Sequence, residues 1–421
     1  MLWLLLLLAG LIGYGLSYLW RILPVAGGYR AKVVCTAVFA CGRDLGQVLA
    51  EDAAAGGNPV LRFMPVRVDW EARSVTASWF GLRPRTVVSR PAERATAGKP
   101  WAEAEGRLDV SAAFAEPDPR KLRRTRAVVV VHDGRIVAER YAPGFSEETP
   151  LAGWSMTKSV LSALVGVLVA RGRLSLSQKL LLPEWSGAGD PRRDISLDDL
   201  LRMRSGLAFE EKYSSPLGDV AAMLFTSPGA GAYAAAKPLS SKPGTAWAYS
   251  SGTSNVISRV MRQGMSPEEY LRFPRQALFD RIGMRSAVME ADAEGEFVGS
   301  SFMVATARDW ARFGLLYAQD GVWEGERILP QGWVEYSTRP TPESSGRYGA
   351  HWWLRLHREL GGQTEAASRL PTDAFYALGH EGQTISVIPS KKMVVVRLGC
   401  SAASDAWDQA AFLTSILKSI G

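Results

Sequence analysis

Ala127-Val128-Val129-Val130-Val131-His132-Asp133-Gly134-Arg135-Ile136-Val137-Ala138-Glu139-Arg140-Tyr141 is a hairpin written out in full. The valine run reads as a buried strand, Asp133-Gly134 as a two-residue turn, and Arg135 to Tyr141 as the alternating return strand. Pro143-Gly144 ends it. Next comes Gly153-Trp154-Ser155-Met156-Thr157-Lys158-Ser159-Val160, which opens a helix running through Leu161, Leu164, Val165 and Leu168 to a stop at Arg171-Gly172. The chain thus runs strand, strand, loop, helix, with Ser155 at the mouth of the helix.

Downstream, residues 173 to about 345 read as largely helical with loops. Ser196 caps a helix that carries Asp198 and Asp199 in its first turn. Further helices are expected at Pro267 to Phe279 and Ala307 to Asp320. Strand signals return at Trp352 to His357, Phe375 to Leu378, Thr384 to Ile388 and Met393 to Leu398, and a last helix spans about Asp405 to Ser419. Two strands, a helical insert, several strands and a terminal helix predict an α+β fold. An antiparallel sheet is flanked by helices, with an all-α subdomain inserted between its halves.

Upstream, residues 2–20 are almost wholly apolar, and the first charge is Arg21. At about 1.5 Å per residue they reach roughly 28 Å, enough to cross a bilayer core, and Tyr14, Tyr18 and Trp20 suit its interface. A transmembrane anchor is expected, with a cleaved signal peptide as its competitor; a basic start and a small-residue cleavage site are missing. Arg21, Arg30 and Lys32 would pull the following flank towards the cytoplasm. Residues 21–118 form an N-terminal extension: Val66 to Trp70 and Ser74 to Trp79 read as a hairpin, and Ser89 to Pro119 as a linker. The expected domains are thus 1–20, 21–118 and 119–421.

Composition narrows the function classes. The chain has 421 residues, 47% hydrophobic and 22% charged, with net charge +7, ordinary for a globular protein. Its basic run, Arg120 to Arg126, reads as a solvated linker before a strand, so no nucleic-acid partner is expected. Cys35, Cys41 and Cys400 lie in no zinc spacing, and no His-Glu-x-x-His occurs, so no metal and no cofactor are expected. Cys35 and Cys41 would pair in an oxidising compartment; otherwise they are thiols on a buried strand.

The chemistry is carried by Ser155 and Lys158, which share a helix face at i and i+3. A serine hydroxyl is a poor nucleophile until a neighbour takes its proton. The spacing alone is cheap, since Ser415-Ile416-Leu417-Lys418 repeats it. Two later motifs strengthen the case: Tyr249 in Pro243-Gly244-Thr245-Ala246-Trp247-Ala248-Tyr249-Ser250-Ser251-Gly252, and Gly379-His380-Glu381-Gly382-Gln383 at the entry to a strand.

With Leu200 to Leu207, these motifs resemble the serine hydrolases of the β-lactamase/penicillin-recognising superfamily. The resemblance covers about residues 120–421 and is nearest the branch of class C β-lactamases, carboxylesterases and 6-aminohexanoate-dimer hydrolases. It implies that Ser155 is acylated while Lys158 and Tyr249 share the proton transfers. It also implies that the strand entered at Gln383 is the sheet's edge, with the N–H groups of Ser155 and Gln383 as oxyanion donors. Ser251, His380, Glu381 and Gly382 would meet the substrate.

Departures from the family's pattern narrow that substrate. Ser251 stands where lactam-directed members have asparagine, and His380-Glu381-Gly382 stands where they have Lys-Thr-Gly. Unperturbed histidine is mostly neutral at pH 7, and Glu381 repels a carboxylate. A small-molecule ester or linear amide fits better than a β-lactam or a D-alanyl-D-alanine stem. A non-catalytic penicillin-binding-like receptor is the rival of another class. The family's usual place outside the cytoplasm implies a bacterial-type inner membrane with a periplasmic domain, against the charge bias after Trp20. Oligomeric state is left open.

Overall fold

The computed structural model describes residues 2–52, 61, 63–90, 101 and 108–420. They pack as two units, Met1–Arg90 with Phe209–Pro228, and Pro91–Ala208 with Gly229–Gly421.

The first unit is built on one long helix, α1 (Leu2–Cys35), which passes through Pro24 and ends in a π-helical turn, Thr36–Ala40. A short helix α2 (Leu45–Glu51) follows, its N-terminus capped by the Asp44 carboxylate accepting from the Gln47 N–H at 2.9 Å. The expected hairpin is present as β1 (Val66–Asp69) and β2 (Ser74–Trp79), joined by an unforeseen third strand, β3 (Leu82–Val88). Pro84 and exposed arginines hid that strand, because it has no apolar alternation to read. Ala31, Val34 and Cys35 of α1 pack beneath Val75 and Ala77 of β2. The segment 209–228, expected within the helical insert, belongs by packing to this unit. Its helix Asp219–Phe225 lies so close to α1 that a Cβ on Gly28 would overlap the Phe225 carbonyl, and the Tyr29 and Phe225 rings meet edge to face at 5.2 Å. Cys35 and Cys41 form no disulfide; both are buried at the helical end of α1, not on a strand.

The second unit holds an antiparallel sheet of β4 (Thr125–His132), β5 (Arg135–Tyr141), β6 (Phe375–Gly379), β7 (Gln383–Ile388) and β8 (Met393–Gly399). The order across it is β6-β7-β8-β4-β5. The opening hairpin folds as written, from Ala127 paired with Tyr141 to His132 paired with Arg135. Val128 and Val130 join Val395, Trp407 and Leu413 in the core on one face. The intervening Val129 and Val131 are just as buried on the other, so the strand reads as an unbroken apolar run. On that second face α5 (Ala307–Ala318), which follows α3 (Thr157–Ala170) and α4 (Ser251–Gln263) along the chain, presses Gly314 onto Val394 and Ile385. The terminal helix α6 (Gln409–Ile420) covers the first face.

The α+β arrangement therefore stands, with the insert made mostly of helices plus the strand pair Val322–Trp323 and Glu326–Arg327 and two strands, Val288–Met289 and Met303–Ala305, in a small sheet with Leu151–Ala152 ahead of it. The strand expected at Trp352 to His357 does not form; Trp353 makes only single bridges to Tyr348 and Tyr376. Part of the expected linker, at 91–100 and 102–107, lies outside the described residues. Val110 and Ala113 beyond it sit in the core of the second unit. The basic run is tied down internally, for the Glu116 carboxylate accepts from the Arg123 and Arg124 N–H groups and Arg126 is buried.

Candidate active site

The strand Leu151–Ala152 delivers the chain to Gly153, whose N–H donates to the Met303 carbonyl at 2.9 Å. A side chain at Gly153 would overlap the Trp310 ring. Trp154 then adopts a left-handed φ of 48°, a conformation costing a non-glycine residue about 1–3 kcal/mol. The turn Trp154–Met156 passes Ser155 into the first turn of α3. One turn on, Lys158 Nζ lies 2.9 Å from Ser155 Oγ, 3.0 Å from Ser251 Oγ and 2.8 Å from the Ser300 carbonyl oxygen. These acceptors are all neutral oxygens, and Lys158 is buried. Ser415, the decoy, spends its hydroxyl on the Phe412 carbonyl of its own helix.

The second motif arrives at the N-terminus of α4. Ser250 caps that helix, its hydroxyl oxygen accepting from the Thr253 N–H at 3.0 Å, which leaves Ser251 facing Lys158. Tyr249 stands before the cap, with Lys158 Nζ 5.0 Å from its ring centroid and the Trp353 and Tyr348 rings packed against it at 5.2 and 5.9 Å. The loop hangs on the Leu200 to Leu207 segment, since Ala248 N–H donates to the Met203 carbonyl and Ser205 Oγ meets Thr253 Oγ1 at 2.9 Å.

Sequence reading missed two residues that hold these pieces together. Asn255, one turn beyond Ser251 on α4, donates from Nδ2 to Ser300 Oγ at 3.0 Å and accepts the Ser300 N–H at 3.2 Å. It thereby aims the Ser300 carbonyl at Lys158. Its i+4 spacing from Ser251 was the available signal. His351 is buried with Nδ1 2.7 Å from the Leu201 carbonyl oxygen and Nε2 3.0 Å from Ser254 Oγ, while its own carbonyl accepts from Ser159 Oγ at 2.7 Å. A carbonyl can only accept, so Nδ1 carries the proton and Nε2 accepts from the serine. Burial pushes this imidazole down to about 3, so it is neutral at physiological pH. It ties α3, α4 and the helix Leu197–Leu201 together.

The third motif forms the turn between β6 and β7, with Glu381 and Gly382 at φ 62° and 80°. Gly379 lies so near Gly153 that a Cβ would overlap the Gly153 carbonyl oxygen, and the His380 ring meets Trp154 edge to face at 5.5 Å. One expectation is corrected here. The strand entered at Gln383 is not the sheet's edge; β6 is, and β7 lies one strand in. Tyr376 exchanges both backbone hydrogen bonds with Trp353, at 2.7 and 2.9 Å, so its amide points off the edge. By the two-residue period of a strand, Leu378 faces the same way. Gly379 is still extended at φ −124° and ψ 161°, so His380 N–H follows them outward. Gln383 instead serves as a fastener: its side chain donates to the Gly399 and His380 carbonyls at 2.7 and 3.1 Å and accepts the Gly399 N–H at 2.9 Å. Beneath the turn lies the fully buried Arg397. It donates to the Gly382 carbonyl at 2.9 Å, the Glu381 carbonyl at 3.2 Å and the Arg123 carbonyl at 2.5 Å. Burial pulls its guanidinium down to about 9.

Ser155 and Ser251 thus meet at Lys158, Tyr249 lies beside Lys158, and His380 reaches the Ser155 loop through Trp154. Glu381 and Gly382 turn their carbonyls inward to Arg397. Among the described residues no group of three or more His, Cys, Asp or Glu is placed to hold a metal.

Comparison with known proteins places the fold in a family. Residues 112–408 match the Beta-lactamase family model. The chain is 27% identical over 346 residues to the 6-aminohexanoate-dimer hydrolase of Paenarthrobacter ureafaciens, covering 75% of this chain and 82% of that one. A Bacillus anthracis structure, provisionally described as a 6-aminohexanoate-dimer hydrolase, superposes with a TM-score of 0.64 at 22% identity over 79% of this chain and 90% of that one. A family VIII carboxylesterase does so with a TM-score of 0.51 at 18% identity over 69% of this chain and 91% of that one. With its family model spanning well over half its length, the chain belongs to the beta-lactamase family of hydrolases.

Proposed function

We propose that this protein is a serine hydrolase that cleaves a carboxylic ester or a linear amide of the 6-aminohexanoate kind through an acyl-enzyme on Ser155. The observation that carries the reading is the 2.9 Å approach of Lys158 Nζ to Ser155 Oγ inside a buried set of neutral oxygens. Ser155 Oγ attacks the carbonyl carbon as its proton passes to Lys158 and Tyr249. The same groups return that proton to the departing alcohol or amine as the C–O or C–N bond breaks. Water then attacks the acyl-enzyme, giving a proton to the same pair, and Ser155 leaves reprotonated. The N–H of Ser155 and the edge-facing N–H of His380, in place of Gln383, stabilise the oxyanion. Two such donors are a large catalytic contribution, each worth about 2.7–4 kcal/mol.

Support for ester or amide over β-lactam comes from the absence of a lysine in the third motif and from Ser251 beside Lys158. The dimer hydrolase relative points the same way. A fluorophosphonate probe should label the protein and not Ser155→Ala; equal labelling of both would refute the role of Ser155, and no labelling of either would favour a binding protein. Rates on a p-nitrophenyl ester, a 6-aminohexanoate dimer and a chromogenic cephalosporin then rank the substrates, and fast cephalosporin turnover would overturn the assignment. We place the catalytic unit on the periplasmic side of an inner membrane, anchored by residues 2–20. Protease shaving of intact spheroplasts checks that: cleavage only after lysis would reverse the orientation.

A further inference from the structure

Exposure along α1 changes abruptly. Residues 2–18 are exposed, whereas residues 22–28 are buried, covered by β2, β3 and the chain leading into β1. The hairpin climbs α1 towards that break. At one level a Cβ on Gly27 would lie 3.4 Å from the Ala77 carbonyl oxygen and 3.7 Å from Arg85 Cβ. One rung higher, Trp79 packs against the buried cluster of Leu23, Ala26, Leu61 and Met64, as does Leu19. Higher still, the Arg83 guanidinium lies 4.9 Å from the Trp20 ring centroid. Trp79 pairs with Leu82, so the tip, Phe80-Gly81, stands at the level of Trp20, where the exposed apolar stretch begins.

The tip is apolar and uncovered: Phe80 is 71% and Leu82 55% exposed. Phe63 is 58% exposed beside Leu61 and Met64, which pack on Leu23 and Ala26 at the same end of the sheet. The opposite end of the sheet lies far along α1, where Trp70 meets Phe39 at 5.6 Å. Exposed Phe and Leu at a two-residue turn are costly in water, at about 25 cal/mol per Å² of apolar surface. They are well placed against a bilayer, where aromatic and basic side chains share the interface.

We propose that the β2–β3 tip, with Phe63, is a second membrane contact beside α1. Phe80, Leu82 and Phe63 enter the headgroup layer, and Arg21 and Arg83 face its phosphates. The occupant follows from continuity, because the patch adjoins a helix segment whose exposed apolar length, roughly 28 Å, matches a bilayer core. The proposal rests on residues 2–20 spanning that bilayer. It gives the first unit a fixed tilt to the membrane, since one helix alone leaves it free to swing.

The full chain, reconstituted in phosphatidylcholine vesicles with and without phosphatidylglycerol, tests this. The native cysteines are buried, so a nitrobenzoxadiazole label reports single sites: Phe80→Cys at the tip, Glu71→Cys at the far turn and Leu11→Cys in the helix. Lipids carrying a quencher near the headgroup should remove roughly half or more of the Phe80→Cys emission and shift it to the blue, as for a side chain about 5–10 Å into the boundary, while lipids carrying the quencher at the end of the acyl chain should quench Leu11→Cys. Glu71→Cys should be unaffected. Quenching strengthened by phosphatidylglycerol supports the role of Arg21 and Arg83. Quenched Leu11→Cys with unquenched Phe80→Cys overturns the proposal and leaves the anchor standing. A blue-shifted but unquenched Phe80→Cys overturns it in favour of a protein partner. No quenching at either site refutes the spanning helix, and the proposal with it.

Discussion

Gly379→Ala tests the junction between the edge strand and the nucleophile loop. A methyl at this position would overlap the Gly153 carbonyl oxygen and sit 2.9 Å from Gln383 Cβ, where ordinary contacts are 3.4–4 Å. Gly153 is fixed by its N–H on the Met303 carbonyl and by its carbonyl under the Met156 N–H, so no rotamer relieves the clash. The end of β6 and the Ser155 turn must part by roughly 1 Å, enough to misalign a reacting group by about a hundredfold in rate. That displacement falls between the N–H groups of Ser155 and His380. The cost expected is that of one oxyanion donor, about 2.7–4 kcal/mol, or a kcat lower by about 10²–10³. Stability should fall less, by about 1–3 kcal/mol for overpacking. Steady-state hydrolysis of a p-nitrophenyl ester, the rate of fluorophosphonate labelling and thermal melting give the three readings. Gly314→Ala is the control. It forces a comparable clash with Val394 on the helix–sheet face and should lower the melting temperature while sparing kcat. If Gly379→Ala keeps kcat within about threefold of the parent, the edge strand does not line the oxyanion site.

Asn255→Ala should lower kcat about tenfold with little change in KM, because the Ser300 carbonyl loses its aim at Lys158. Stability should drop by about 1–3 kcal/mol for the unpaired Ser300 groups. Full activity in a correctly folded variant would show that this carbonyl is idle. His351→Gln concerns acid stability. The folded imidazole sits at about 3, against an ordinary value of 6.5. Between those values the unfolded chain binds a proton that the native one refuses, so stability falls as pH falls below 6.5, at up to about 1.4 kcal/mol per unit. Urea midpoints from pH 7.5 to 5 should therefore slope less steeply in the variant, with His357, also held down by burial, supplying part of the remaining slope. Identical slopes would refute the assignment.

What the sequence made legible was local. Asp133-Gly134 fixed a turn, the alternation in Arg135 to Tyr141 fixed a return strand, and the Ser155 helix began where its apolar run began. Long-range order was not legible. Nothing in Gly379 to Gln383 says on which side of that turn the edge lies, because strand order is set by partners far along the chain. Trp352 to His357 read as a strand since aromatic residues favour both strands and cores. Here Trp352 packs on Phe313, Tyr317 and Phe375, and His351 at φ 62° breaks the extended path. The division of the first unit was equally hidden, since Asp219–Phe225 packs on α1 across nearly two hundred residues of chain.

The motifs converge because buried polar groups beside each of them reach across to another element. His351 binds the Ser155 helix to the Tyr249 helix, Asn255 binds that helix to the Ser300 loop, and Gln383 and Arg397 bind the His380 turn to β8. His351 and Arg397 are single polar residues in ordinary text, and only the i+4 spacing of Asn255 from Ser251 and the place of Gln383 in the third motif gave any sign of the other two. Leaving one such group unpaired costs about 1–3 kcal/mol, so these residues favour one arrangement of the site over its neighbours far more sharply than apolar packing does. Arg397 carries this furthest. Its guanidinium is wholly buried among carbonyls and the Thr125 hydroxyl. Only a planar group with donors fixed in a fork can bridge the backbones of Arg123, Glu381 and Gly382 at once. Lysine, with its donors on one atom, could preserve the charge there but not the turn.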